Sequence, residues 1–228
     1  MKAKALKWQG AAEAPPSELK DLRFRQLLGR EAWAGLPQAV QRRFGKRLGA
    51  GQSANYAGEV VTCRMSASGW LLAQACRVIG APLPLERAGG VAAVVNVTED
   101  GASGGQVWTR VYARKRGFPQ VIHSAKRFAG PTGLEEYLGG GIGIALTVSA
   151  LEDGIRFASD HYYLQLGRWR LRWPRGLAPG QLTIDHRDCG AGVFTFTLAL
   201  HHPLLGEVMH QHSRFQDQTP RIGAAYHD

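Results

Sequence analysis

Cysteine is nearly absent from this chain: Cys63, Cys76 and Cys189 are the only three in 228 residues. Their number is odd and no two stand close together. That excludes a disulfide-stapled scaffold and a zinc knuckle, and reduced thiols in a cytoplasmic setting are expected. No apolar run approaches the roughly 20 residues that span a bilayer. Lys2, Lys4 and Lys7 have no apolar core behind them, so neither a secretory signal nor a lipid-anchor motif is read at the start. There is no Gly-x-Ser-x-Gly elbow, no phosphate-cradling glycine loop and no βαβ repeat. No cofactor is implied by any motif.

Acidic residues are in the minority, 18 Asp and Glu against 28 Lys and Arg, for a net charge of +10. Such a field favours anionic partners: nucleic acid, an acidic membrane surface or an anionic small molecule. The basic residues are spread along the chain rather than gathered in one run. That weighs against nucleic acid and leaves peripheral membrane contact open.

What is present is a core and a β pattern. Hydrophobic residues make up 44% of the chain, ample for a packed interior. Residues 1–16 read as a flexible lead ending in Pro15-Pro16, residues 17–215 as one domain, and residues 216–228 as a tail. Ser17 is placed to cap a helix over Glu18–Leu28, and Pro37 opens a second over Gln38–Phe44. Tyr56–Met65 alternates as a strand. Ser66 and Ser68 then cap a helix, Gly69–Ile79, so apolar all round that it is expected to be buried. From Val91 onward short alternating runs are separated by Gly- and Pro-marked turns.

The most distinctive stretch is Gly139–Trp173. In its first strand Ile142, Ile144, Leu146 and Val148 face one way; Gly141, Gly143, Ala145, Thr147 and Ser149 face the other. A strand with a small face accepts a close neighbour there, whether helix, barrel wall or ligand. The fold class expected is α+β, mostly β: a curved antiparallel sheet or partly closed β-barrel of about eight to ten strands. N-terminal helices and the buried helix complete it.

Several constellations are candidates for chemistry. Trp108, Arg110, Tyr112 and Arg114 share one strand face, an aromatic–arginine ladder suited to clamping an anion; an outer face with arginine stems laid over rings is the plainer account. Arg168, Arg170 and Arg172 alternate with Trp169, Leu171 and Trp173, which reads as solvated arginines over inward-packed aromatics. His210 and His212 share a strand face. With His202 or His186 opposite they make a workable metal or acid–base set. His123-Ser124 and Asp160-His161 resemble fragments of a nucleophilic triad without an oxyanion-hole turn. Glu135-Glu136 and Asp185-His186 are adjacent pairs, which a strand sends to opposite faces.

A set of landmarks in order along the chain carries a family resemblance. They are Leu27-Leu28-Gly29 and Leu36-Pro37-Gln38-Ala39-Val40; Trp108-Thr109-Arg110-Val111-Tyr112 with Ser124; Trp173-Pro174, Leu177-Ala178-Pro179 and Phe194-Thr195-Phe196; and His202-Pro203-Leu204-Leu205-Gly206-Glu207. Over about Phe24 to Phe215 the chain resembles a bacterial family of domains of unknown function, number forty-one sixty-six. Its members stand alone or follow saccharopine-dehydrogenase-like modules. The resemblance implies a domain type and a dehydrogenase-like protein partner as one candidate; it implies no activity. The chain departs from the pattern at Phe44, where members often carry His, and near Asp185, where they carry Glu.

The expectation is therefore a binding domain rather than an enzyme. It would hold an apolar or amphipathic small ligand, an anionic one included, in a β-cup. The ligand contacts expected are Trp108, Arg110, Tyr112, Ser124, Tyr163 and Phe196. The alternatives are an enzyme built on His202, His210 and His212, with no metal otherwise expected, and a basic docking module for a protein, nucleic acid or membrane surface.

Overall fold

The computed structural model describes residues 19–49, 51–80 and 82–218. The proposed lead, residues 1–16, and the tail beyond Gln218 lie outside them. The elements begin with β1 (Leu19–Lys20), α1 (Arg23–Leu28), α2 (Arg30–Ala34), α3 (Gln38–Phe44) and β2 (Lys46–Arg47). Then come β3 (Ser53–Met65), α4 (Ala67–Ala75), which runs on as a 3-10 turn over Cys76–Ile79, β4 (Val91–Asp100), β5 (Gly105–Tyr112) and β6 (Gln120–Arg127). The chain continues with β7 (Glu135–Gly139), β8 (Ile142–Leu151), β9 (Gly154–Leu166), β10 (Trp169–Arg172), β11 (Gln181–Asp188), β12 (Val193–His202) and β13 (Gly206–Asp217).

Ten of these strands close into an antiparallel barrel. The order is β9-β11-β12-β13-β3-β4-β5-β6-β7-β8, and β8 pairs back onto β9. Closure removes the free sheet edges that would otherwise pair with other chains. β9 makes it work by length: one edge pairs with β8, and the other is shared by β11 at Gly154–Ala158 and β10 at Tyr163–Leu166. Register shifts fall at Leu200/His201, His212/Ser213 and Ala145/Leu146. Such bulges bend strands where a barrel has to turn.

Both ends are plugged. At one end Phe24 of α1 is fully buried and meets Phe44 of α3, Phe128 and Phe157 of β9 edge-on, with ring centroids 5.0–6.1 Å apart. Burying a side chain of that size is worth about 1.5–3 kcal/mol. α3 spans the expected Gln38–Phe44. The first helix is shorter than expected. Leu19–Lys20 pairs with Lys46–Arg47 instead, and Asp21 accepts from the Arg23 N–H at 3.0 Å at the start of α1; the expected cap, Ser17, lies outside the described residues.

α4 caps the other end. Ser66 caps it as expected, accepting from the Gly69 N–H at 3.1 Å, and Gly80 ends the 3-10 turn with φ +100°. The expected burial does not hold. Only Gly69 and Ala73 of α4 are buried, while Leu71 and Val78 are 62% and 88% exposed. The reason is that the barrel fills itself with its own side chains, so the helix has a rim to close and no core to occupy.

The Gly139–Gly141 run is the β7–β8 turn. All three glycines have positive φ, and a Cβ on Gly140 or Gly141 would press on Ile79 or on the Gln165 carbonyl. β7 itself was not foreseen, because Glu135-Glu136 interrupts its apolar pattern.

Candidate functional site: the barrel lumen

Alternation on the strands sends every second side chain inward. On β5, Trp108, Arg110 and Tyr112 point into the lumen, and β6 brings Ser124 opposite Trp108. β7 adds Glu136, β12 adds Phe196, and β11 adds His186. Five of the six expected contact residues therefore meet: Trp108, Arg110, Tyr112, Ser124 and Phe196. The outer-face account of the aromatic–arginine ladder is overturned, and Arg114 is outside it, exposed beyond the end of β5.

The sixth, Tyr163, lies on the outer wall. Its ring covers Gly143, where a Cβ would fall 2.3 Å from the ring. Its hydroxyl donates to Glu135 at 3.0 Å, and Arg170 lies over the ring at 3.9 Å while also pairing with Glu135. Burial pushes the Tyr163 phenol up to about 12, with the Glu135 charge adding to it. The small face of β8 thus receives the protein's own tyrosine; the cavities lie on the large face.

The waist of the lumen holds a buried ion network. Arg110 donates to Ser124 Oγ at 3.0 Å and to Glu136 Oε1 at 3.2 Å; Ser124 donates to the same Oε1 at 2.6 Å. Lys126 Nζ donates to Glu136 Oε2 at 2.8 Å and is 2% exposed. Burial alone would raise the Glu136 carboxyl; the charges of Lys126 and Arg110 outweigh it and hold the group at about 2. Burial, with Arg110 adding to it, lowers the Lys126 ammonium against the pull of Glu136. Two cations therefore face one carboxylate.

Two chambers flank this waist, and Arg110, Tyr112 and Phe196 line both. The α4 chamber is about 90 Å³, walled by Ile122, Leu138, Ile144, Tyr162, Leu182 and Leu198. The α3 chamber is about 30 Å³ and is walled by Phe44, Val95, Val97, Phe194 and Phe215, with Arg43 and His186. His186, which drew notice in the sequence only as a spare metal ligand, is 3% exposed and stacks on Phe194 with centroids 4.5 Å apart. Burial, reinforced by the Arg43 charge, depresses its imidazole to about 3. Arg43 reaches in from α3, 4.4 Å above the Phe194 ring, anchored to Asp188 at 3.0 Å. Arg43 sits on a short helix outside any strand pattern, so nothing in the sequence pointed to it.

The remaining candidates scatter. His210 and His212 share the outer face of β13, where His212 bonds Thr197 at 2.8 Å; His202 turns into the β12–β13 hairpin and accepts from the Leu204 N–H. No group of three His, Cys, Asp or Glu that could hold a metal exists among the described residues. His123 binds Thr109 outside while Ser124 faces in, so that pair divides across the wall. Asp160 and His161 meet at 2.5 Å beside an outer groove of about 370 Å³, near Arg172, Arg175 and His201. Along Arg168–Trp173 the expectation holds in part: Arg168 and Arg172 are solvated and Trp173 packs against Tyr162, but Trp169 and Leu171 are exposed, and Arg170 folds onto Tyr163 and Glu135. β10 hangs on β9 by one edge, so among the described residues nothing covers Trp169 and Leu171. No helix among the described residues is long and apolar enough to cross a membrane.

No curated protein and no solved structure matches this chain. Residues 36–215, which hold the whole lumen lining except the α1 plug, match the family described as Domain of unknown function (DUF4166), and the chain belongs to that family.

Proposed function

We propose that the barrel is a binding domain for a small amphipathic molecule held in the lumen. The observation that carries this is the waist: a buried network with one cation in excess, set between two mainly apolar chambers. An unbalanced buried charge is costly, and an anionic occupant would offset it. The chambers also bound the size. At about 10–15 Å³ for each water-sized group, they take roughly two or three and six to nine such groups. Together they have room for about ten non-hydrogen atoms, too few for a full-length lipid.

Native mass spectrometry of the purified protein, with solvent extraction of the same sample, tests this. The expected result is an organic adduct near unit stoichiometry, or saturable uptake of a short-chain amphiphile that shifts lumen signals in NMR. A bare mass together with no uptake of any such amphiphile overturns the proposal.

A further inference from the structure

Among the described residues, six buried side-chain nitrogen or oxygen atoms have no hydrogen-bond partner. Four of them belong to the α3 chamber: Arg43 Nε, Trp108 Nε1, and both ring nitrogens of His186. A buried polar atom left unpaired is costly, so four around one cavity mark a place where something is meant to bind. Elsewhere in the molecule such atoms occur singly, at Glu135 Oε1 and His210 Nδ1.

The chemistry of the four is lopsided. Arg43 Nε–H and Trp108 Nε1–H only donate, and a neutral imidazole adds one more donor and a single lone pair. The occupant must therefore be rich in acceptors. Charge agrees. Arg43, Lys46 and Arg110 line the chamber, and Lys126 lies 5.3 Å from the Trp108 ring. Facing them are Asp188, spent on Arg43, Glu136, spent on Lys126 and Arg110, and Asp217, whose charge acts on Tyr56. Size narrows it further. Room for roughly two or three water-sized groups suits a carboxylate and is too little for a phosphate with its four oxygens.

We propose that the α3 chamber is the seat of the carboxylate of a short organic acid, gripped by Arg43, Trp108 and His186, with its apolar body threading the Arg110–Tyr112–Phe196 belt into the α4 chamber. This rests on the lumen-binding reading and adds the head group and its orientation. Trp108 and Arg43 act as donors, and Arg110 neutralises the acid from the waist.

The test titrates the full-length protein with octanoate and with octan-1-ol, which share an apolar body and differ in the head. Affinity is read by calorimetry, and the Trp108 indole N–H is followed by NMR, its signal assigned with Trp108→Phe. Octanoate is expected to bind at least tenfold tighter than octan-1-ol and to move the Trp108 N–H signal. Trp108→Phe and Arg43→Gln should each weaken octanoate about tenfold more than they weaken octan-1-ol. The wild-type comparison stands even if a variant does not fold. Equal binding of the two, with the Trp108 signal unmoved, overturns the carboxylate seat and leaves lumen binding standing. Binding of neither overturns both, and the α3 chamber then holds buried water alone.

Discussion

Glu135 and Glu136 stand side by side on β7 and face opposite sides of the barrel wall. Glu136 turns into the lumen, where Lys126 and Arg110 hold it; Glu135 turns outward, where Tyr163 and Arg170 cover it. Both carboxylates are buried, at 2% and 4% exposure. One strand thus anchors the interior network and the outer cladding of the barrel together.

Glu136→Leu leaves Lys126 and Arg110 buried without their counter-charge. The expected loss is about 3–5 kcal/mol in urea unfolding. Adding Lys126→Met should restore part of it, since Arg110 alone then stays buried without a counter-charge. A loss below about 1 kcal/mol for the single variant would show that the network carries little.

Gly143→Ala puts a methyl group into the Tyr163 ring, and that ring is tied to Glu135. A cost of about 1–3 kcal/mol is expected. Tyr163→Leu removes the obstacle, so the double variant should lose less than the sum of the singles. Additive losses would mean that the ring does not rest on Gly143.

Acid should weaken the protein in two stages. His186 titrates near 3 when folded against an ordinary 6.5, so the unfolded chain binds the extra proton. Its contribution is whole above pH 6.5 and is lost as pH falls toward 3, at up to about 1.4 kcal/mol per pH unit. Glu136, held at about 2 against 4.5, stabilises above pH 4.5 and loses that contribution between 4.5 and 2. Urea midpoints measured from pH 7 to 3 should fall first below 6.5 and more steeply below 4.5. His186→Leu should flatten the first stage only; an unchanged slope there would place the buried proton acceptor elsewhere.

The thiols should react in order. Cys189 is exposed, whereas burial raises the Cys63 and Cys76 thiols above their ordinary range. With a thiol-selective disulfide reagent at pH 8, Cys189 should react first, and all three after unfolding. Equal rates in the native protein would mean that the α4 cap opens freely.

What the sequence determined on its own was everything that depends on local period and punctuation. The alternation in Ile142–Leu151, the Gly- and Pro-marked turns after Val91, and the cap at Ser66 fixed a mostly β, antiparallel chain with helices at its start. The ladder Trp108, Arg110, Tyr112 could be placed on one face because a strand has period two. Which face was inward could not, because aromatic and arginine side chains suit either a lumen or a solvated wall. Tertiary structure decided that by closing β8 onto β9. Closure turned the ladder inward and gave Gly143 to Tyr163. It filled the lumen, so that α4 became a lid, and it brought Arg43 and His186, 143 residues apart in sequence, onto one Phe194 ring. Such contacts leave no periodic trace in a single chain, since they follow from the register and bulges of strands far apart in sequence.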